Sequence, residues 1–298
     1  MGRQGLWTDK RLRHISKQLR RLGIRVSPNT VRRLLEELGY GLHANSKSIS
    51  VSCEHREQQF DYIAQQKERF LEDRLPIISV DTKKKELVGN FKNAGRLWSD
   101  RPRPVNDHDF RSQSQGVANP YGIYDPSLNR GTLFVGTTHD TPEFAAENIG
   151  RWWREFGQAN YPQASELLIL ADSGGSNGAR VRAWKHFLQY QLVDRFGLSV
   201  TVCHYPTGAS KWNPIEHRLF SEISKHWAGQ PLQDYPTILR LIRETKTQSG
   251  LRVSSRLVTK SYPTGRKISN QQMRELSLEK HLTLPQWNYT LHPRENRN

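Results

Sequence analysis

Cysteine is almost missing from this 298-residue chain, which has only Cys53 and Cys203, far apart in sequence. With no CxxC or HxxxH pair, the sequence offers neither a disulfide framework nor a zinc site. Long apolar runs are missing too. No stretch of 18 apolar residues exists, so no membrane-spanning helix is expected. The opening MGRQGLWTDKRLRH lacks the apolar core of a signal peptide. A reducing, cytosolic setting is the expectation. No internal repeat is visible. Acids are scarce relative to bases: 29 Asp and Glu stand against 45 Lys and Arg, a formal charge of +16. A chain this basic typically meets polyanions, chiefly nucleic acid.

The basic excess is concentrated at the start, where residues 1–40 hold ten Lys or Arg against three acids. TDKRLRHISKQLRRLG carries Leu12, Ile15, Leu19 and Leu22 at helical spacing, with Thr8 or Asp9 as cap and Gly23 as stop. SPNTVRRLLEELGYG opens on Ser27 as cap and Pro28 at the first helical position, and Val31, Leu34, Leu35 and Leu38 form its apolar face. Two such helices around a turn read as a helix-turn-helix over residues 1–45, or as an ordinary hairpin with a basic outer face. On the first reading Asn29, Thr30, Arg32 and Arg33 stand where a recognition helix meets DNA. Residues 46–74 contain a charged helix with Phe60, Ile63, Lys67 and Phe70 or Leu71 in register, read as a linker.

From residue 75 to 250 the order is strand, hairpin, helix, strand, helix, strand, helix. That order predicts an α/β domain, a mixed sheet flanked by helices. A long basic, polar stretch over 82–119 interrupts it, and loops of that length usually serve function. Residues 251–298 show little periodicity and read as a C-terminal extension.

Three acids occupy positions where burial makes a charge expensive. Asp81 closes the strand LPIISVD, and Asp172 closes ELLILAD. Glu216 lies on the helix NPIEHRLFSEISKHW. At about 100° per residue its face is shared by Leu219, Phe220, Ile223 and Trp227, with Arg218 and Lys225 opposite. Buried carboxylates need a proton, a basic partner or a metal. Oxygen-only donors suit a hard ion such as Mg²⁺ or Mn²⁺, and carboxylates around two such ions make a site for phosphoryl transfer on nucleic acid. Lys83, Lys84 and Lys85 follow Asp81 and could meet phosphates. Lys211 and Trp212 precede the Glu216 helix and offer a cation and a stacking surface. Asp140 reads as a cap of the helix after FVGTTHD, with Glu143 as its capping-box partner. Glu86 and Asp125 read as loop residues, and His204 and His217 as structural histidines.

ISVDTKKKELVGNFKNAGR, ADSGGSNGARVRAWK, CHYPTGASKWNPIEHRLFSEIS and the late GLRV, YPTGRKIS and WNYTLHP segments closely resemble the Rhodopirellula-type transposase family of bacterial insertion sequences, from about Trp7 to Pro293. The resemblance implies a ribonuclease-H-like catalytic fold and an acidic triad of Asp81, Asp172 and Glu216 holding two Mg²⁺ or Mn²⁺ ions. It also implies cleavage at the element's ends, attack of the 3′-hydroxyl on target DNA, and an active homo-oligomer on terminal inverted repeats in the bacterial cytoplasm, on the nucleoid. Pro214 stands where a basic residue is expected. Family members continue further upstream, so the chain reads as a truncated or split copy. A nuclease on the same fold, or a non-transposing DNA-binding remnant or repressor, is the alternative.

Overall fold

The structure is a computed structural model that describes residues 10–41 and 55–294. The chain divides into two compact units, residues 1–50 and 51–298.

The first unit holds α1 (Leu12–Arg21) and α2 (Pro28–Glu37). Ser27 caps α2 by accepting the Thr30 N–H at 3.1 Å. Helix α1 starts after Arg11, which makes no side-chain cap, and Thr8 and Asp9 lie outside the described residues. Gly23 and Gly39 end the two helices at positive φ. The apolar faces are only partly covered. Val31 is buried, whereas Leu22, Leu34 and Leu38 are exposed, because two ten-residue helices have too little surface to cover one another.

The second unit is built on a nine-stranded sheet: β1 (Ile77–Thr82), β2 (Glu86–Val88), β3 (Gly116–Asp125), β4 (Arg130–Gly136), β5 (Glu166–Asp172), β6 (Ser199–Tyr205), β7 (Arg252–Val258), β8 (Leu278–Lys280) and β9 (Asn288–Leu291). The order across it is β7-β4-β3-β1-β5-β6-β9-β8, with β2 on β3. Strands β1, β3 and β4 pair antiparallel, and β1, β5 and β6 pair parallel. This central arrangement is ribonuclease-H-like. Glu86 and Asp125, read from sequence as loop residues, are the first residue of β2 and the last of β3. Asp125 is buried and accepts the Tyr161 hydroxyl at 2.8 Å.

Strand alternation divides the core. One face presents Ile78, Val80, Tyr121, Ile123, Phe134, Ile169 and Val202 to α4 (Pro142–Trp152) and α5 (Arg182–Leu188). The other presents Ile77, Leu168, Leu170 and Cys203 to α3 (Arg56–Glu72), and Tyr124, Leu133 and Val135 to the Glu216 segment and α7 (Tyr235–Glu244). The Glu216 segment is a π turn, Glu216–Phe220, that runs into α6 (Ser221–His226).

Two parts read as peripheral are built into this unit. Helix α3 buries Ile63 and Phe70, and its Gln59 amide donates to the His204 carbonyl and to Asn288 Oδ1 at 2.9 and 2.7 Å. The C-terminal residues add β7 along β4 on one side and β9 along β6 on the other. Their weak periodicity has two causes: β8 and β9 are only three and four residues long, and the edge strand β7 buries only Ser255 and Val258.

Candidate active site

Asp81 and Asp172 sit at the C-terminal tips of adjacent parallel strands. The β1–β5 ladder runs to Val80 opposite Ala171, so each strand's next residue is an aspartate. Neighbouring strands lie about 4.8 Å apart. By alternation both side chains point to the face that carries α3 and the Glu216 segment. That face buries Ile215, Leu219, Phe220, Ile223 and Trp227 around Glu216, as the helical spacing predicts, although the first turn is wound wider than an α-helix. Glu216 is near enough to raise the pKa of both aspartates.

Two glycines that sequence reasoning passed over allow this approach. Gly122 on β3 is the cross-strand partner of Asp81, and a Cβ there would meet Phe220 at 2.5 Å and Ile215 at 2.9 Å. A Cβ at Gly131 on β4 would meet Leu219 at 2.3 Å. A bare backbone at both positions lets the Glu216 turn lie directly on the sheet. Glycine inside a strand is the available sequence signal.

The electrostatics are those of acids raised by burial and by one another. Burial, then Asp172, then Glu216 push Asp81 up to about 8, against the Thr82 backbone N–H, which donates to its Oδ1 at 2.7 Å. Burial raises Asp172 as well, opposed by Asn213. No lysine or arginine is among the groups that set either value. Among the described residues no three His, Cys, Asp or Glu side chains close into a ready-made metal cage. The donor set still fits a hard divalent ion: three neighbouring carboxylates, two of them held short of positive charge.

Asn213 orients the second aspartate. It is fully buried, its amide donates to Asp172 Oδ1 at 3.1 Å, and its Oδ1 accepts the Ser79 hydroxyl. Ser79 Oγ in turn accepts the Ile215 N–H at 3.2 Å, so one network joins β1, Asp172 and the Glu216 segment. From the other side His204 Nδ1 lies 2.9 Å from the Asp172 carbonyl, which it can donate to in the neutral form. Burial lowers the His204 pKa to about 4, so it stays neutral and structural. His217 is exposed and contacts the Lys211 carbonyl.

A cavity of about 420 Å³ opens at the strand tips, lined by Asp81, Asp172, Asp140, Lys84, Lys85 and the Gly174–Asn177 loop, among others. Lys83 also borders it but is buried, paired with Glu86 at 3.1 Å and lying over Trp227 at 4.4 Å. Only Lys84 and Lys85 of the expected phosphate contacts are therefore exposed. Asp140 is a second correction. Thr141, not Asp140, caps α4 by accepting the Phe144 N–H, and Glu143 pairs with Arg266 at 2.8 Å. Trp212 is half exposed, with Lys211 and Arg56 at 4.1 and 4.5 Å from its ring centre. In the first unit, Asn29, Arg32 and Arg33 are exposed on α2, Arg33 facing Glu37 at 3.6 Å, while the Thr30 hydroxyl contacts Ser27.

The Rhodopirellula transposase DDE domain matches residues 3–293. Among solved structures, a Mos1 transposase paired-end complex with left transposon end is similar at 14% identity and TM-score 0.48, covering 82% of this chain and 74% of that one. A pre-cleavage Mos1 transpososome is similar at 13% identity and TM-score 0.47, with 82% and 74% covered. A mariner Mos1 paired-end complex with Mg stands at 13% and 0.45, with the same coverage. Curated proteins yield no match.

Proposed function

The chain belongs to the Rhodopirellula transposase DDE family, and from that premise we propose that it is an insertion-sequence transposase that cuts DNA at the element's ends and joins the freed 3′-hydroxyl to target DNA. The observation that carries the reading is the pair Asp81 and Asp172 at adjacent strand tips, on the sheet face from which Glu216 approaches, both with raised pKa values and no lysine or arginine among the groups that set them.

Asp81, Asp172 and Glu216 would hold two divalent ions, Mg²⁺ or Mn²⁺. When bound, such ions supply Lewis-acid stabilisation at the attacking and leaving oxygens of an in-line displacement. The chain's own side chains do the rest. Asn213 holds one Asp172 oxygen, which leaves the other for a ligand. Lys84 and Lys85 border the cavity where a phosphodiester would lie and lower its repulsion from the acids. Trp212, with Lys211 and Arg56 beside it, offers a stacking surface near the Glu216 segment. On α2, Asn29, Thr30, Arg32 and Arg33 supply contacts to terminal inverted repeats. Pairing of two ends by a homo-oligomer completes the reading.

The test is Mg²⁺-dependent nicking and strand transfer on a duplex carrying the element's terminal repeat. Asp172→Ala should lose both reactions and keep DNA binding. Nicking without joining would make the protein a nuclease of this fold, and binding with neither reaction a DNA-binding remnant or repressor. Full activity of Asp172→Ala would sink the assignment of the site.

A further inference from the structure

The ladder between β1 and β5 stops one residue short of the two aspartates. Each tip is tied outward instead: the β1–β3 pairing continues through Thr82, and the β5–β6 pairing continues through Asp172. Backbone pairing therefore holds the two aspartates only from one residue below, and side-chain contacts can adjust their separation beyond it. The loop after Asp172 is loosely filled at its two glycines. Gly174 and Gly175 touch nothing within 4 Å of where a Cβ would stand, and Gly175 sits at φ +69. Spacing that matters to the chemistry needs a side-chain fastener here.

Asp140 is placed to be one. It follows β4 and lines the cavity with the two tips. The Ser176 and Thr82 hydroxyls and Lys85 act on its carboxyl against the larger effect of burial. Alternation along β1 turns Thr82 to the sheet face opposite Asp81, so Asp140 meets β1 from behind the acids. Asp140 Oδ1 and Thr82 Oγ1 are both buried, and neither has a hydrogen-bond partner. A buried polar atom left unpaired is destabilising, and a hydroxyl turns freely about its C–O bond. The economical pairing is of these two neighbours with each other. On the same face the Tyr121 hydroxyl donates to Asn177 Oδ1 at 3.2 Å, a second hold on the loop.

We propose that Asp140 is a positioning residue that accepts hydrogen bonds from Thr82 on β1 and Ser176 after β5, and so clasps the two strand tips and sets the separation of Asp81 and Asp172. This rests on the functional reading above only for its effect on catalysis.

The experiment uses the full chain with Asp140→Ala, Asp140→Asn and Ser176→Ala. It measures kcat and KM of Mg²⁺-dependent nicking, together with backbone amide exchange over residues 173–178. Asp140→Ala should lower kcat by about 100-fold, the scale of an ångström-sized misplacement, with KM unchanged and faster exchange in the loop. Asp140→Asn should recover most of the rate and the protection, because its amide oxygen accepts one hydroxyl and its NH2 donates to the other. Ser176→Ala should give a smaller loss of both, and it decides the matter together with Asp140→Asn if Asp140→Ala does not fold. Loop exchange unchanged in every variant, or Asp140→Asn as impaired as Asp140→Ala, overturns the clasp. If the wild-type chain does not nick DNA at all, the functional reading fails, and the exchange data alone judge the clasp.

Discussion

Strand β5 carries an acid at each end, Glu166 and Asp172, about 20 Å apart along the strand. Glu166 accepts from Arg69 Nη2 at 2.9 Å. Around it several functional groups are paired: Tyr62 with His281 at 2.6 Å, His281 with Thr290 at 2.8 Å, His292 with Glu279 at 3.0 Å. The cavity at that end is about 670 Å³, larger than the one at the strand tips. Asp172 has an amide and two neighbouring acids, and no cation sets its pKa. The larger hollow is thus electrostatically complete and the smaller one is not. Unanswered charge lowers folding stability and persists where a ligand uses it, so charge, not size, is the ground on which the strand tips are proposed as the working end.

The hardest blow to this comparison is a mutation at each end. Asp172→Ala or Asp81→Ala should reduce nicking by about 1,000-fold or more, equivalent to about 4 kcal/mol in the barrier. Arg69→Ala should leave the nicking rate as it is. Equal losses at the two ends, read by the same assay, would erase the distinction.

Next in size is the effect of filling the space that lets Glu216 reach the tips. Gly122→Ala puts a methyl against Phe220 and Ile215, an overpacking that costs about 1–3 kcal/mol. Thermal melting should register that cost. Nicking should fall by more than the folded fraction does, because the turn carrying Glu216 is what has to move. Wild-type nicking in a destabilised Gly122→Ala protein would show that Glu216 need not sit where the sheet puts it.

Gly122 also marks how far the sequence could be read. Asp81, Asp172 and Glu216 were legible because each breaks an apolar pattern, at the end of a run or in the middle of a face. The cap at Ser27 and the helix entry at Pro28 were legible for local reasons. Most of the residues that hold the site were not, His204 being read as structural. Asn213, Ser79 and Gly122 act across 41 to 136 positions of chain, through contacts that only the sheet register creates. Asp140 was misread because Asp before Thr-Pro-Glu fits a helix cap, and the next residue, Thr141, took that place.

A smaller effect tests the charge imbalance without chemistry. Burial and neighbouring acids raise Asp81 to about 8, above the usual carboxylate value of about 3.9. The native state then binds its proton more tightly than the unfolded chain. The stability this group contributes is complete below about pH 4 and is lost as pH rises to about 8. In chelator, melting temperature should fall over that window. Asp81→Asn should flatten the slope and melt higher at pH 8, by about 2–4 °C for each kcal/mol recovered. Excess Mg²⁺ should do the same for the wild type by binding the native state. A pH slope unchanged by Asp81→Asn would mean that this acid is not under strain.

The smallest effect belongs to the quiet end of β5. Arg69 and Glu166 are both partly exposed, so water screens their attraction and side-chain entropy opposes it. A double-mutant cycle of Arg69→Ala and Glu166→Ala should give a coupling of about 0.5 kcal/mol, falling further as salt is raised. A coupling above about 2 kcal/mol that salt leaves unchanged would mean the pair is desolvated in solution. The cavity beside it would then be a built site under tension of its own, and the contrast between the two ends of β5 would no longer single out the aspartates.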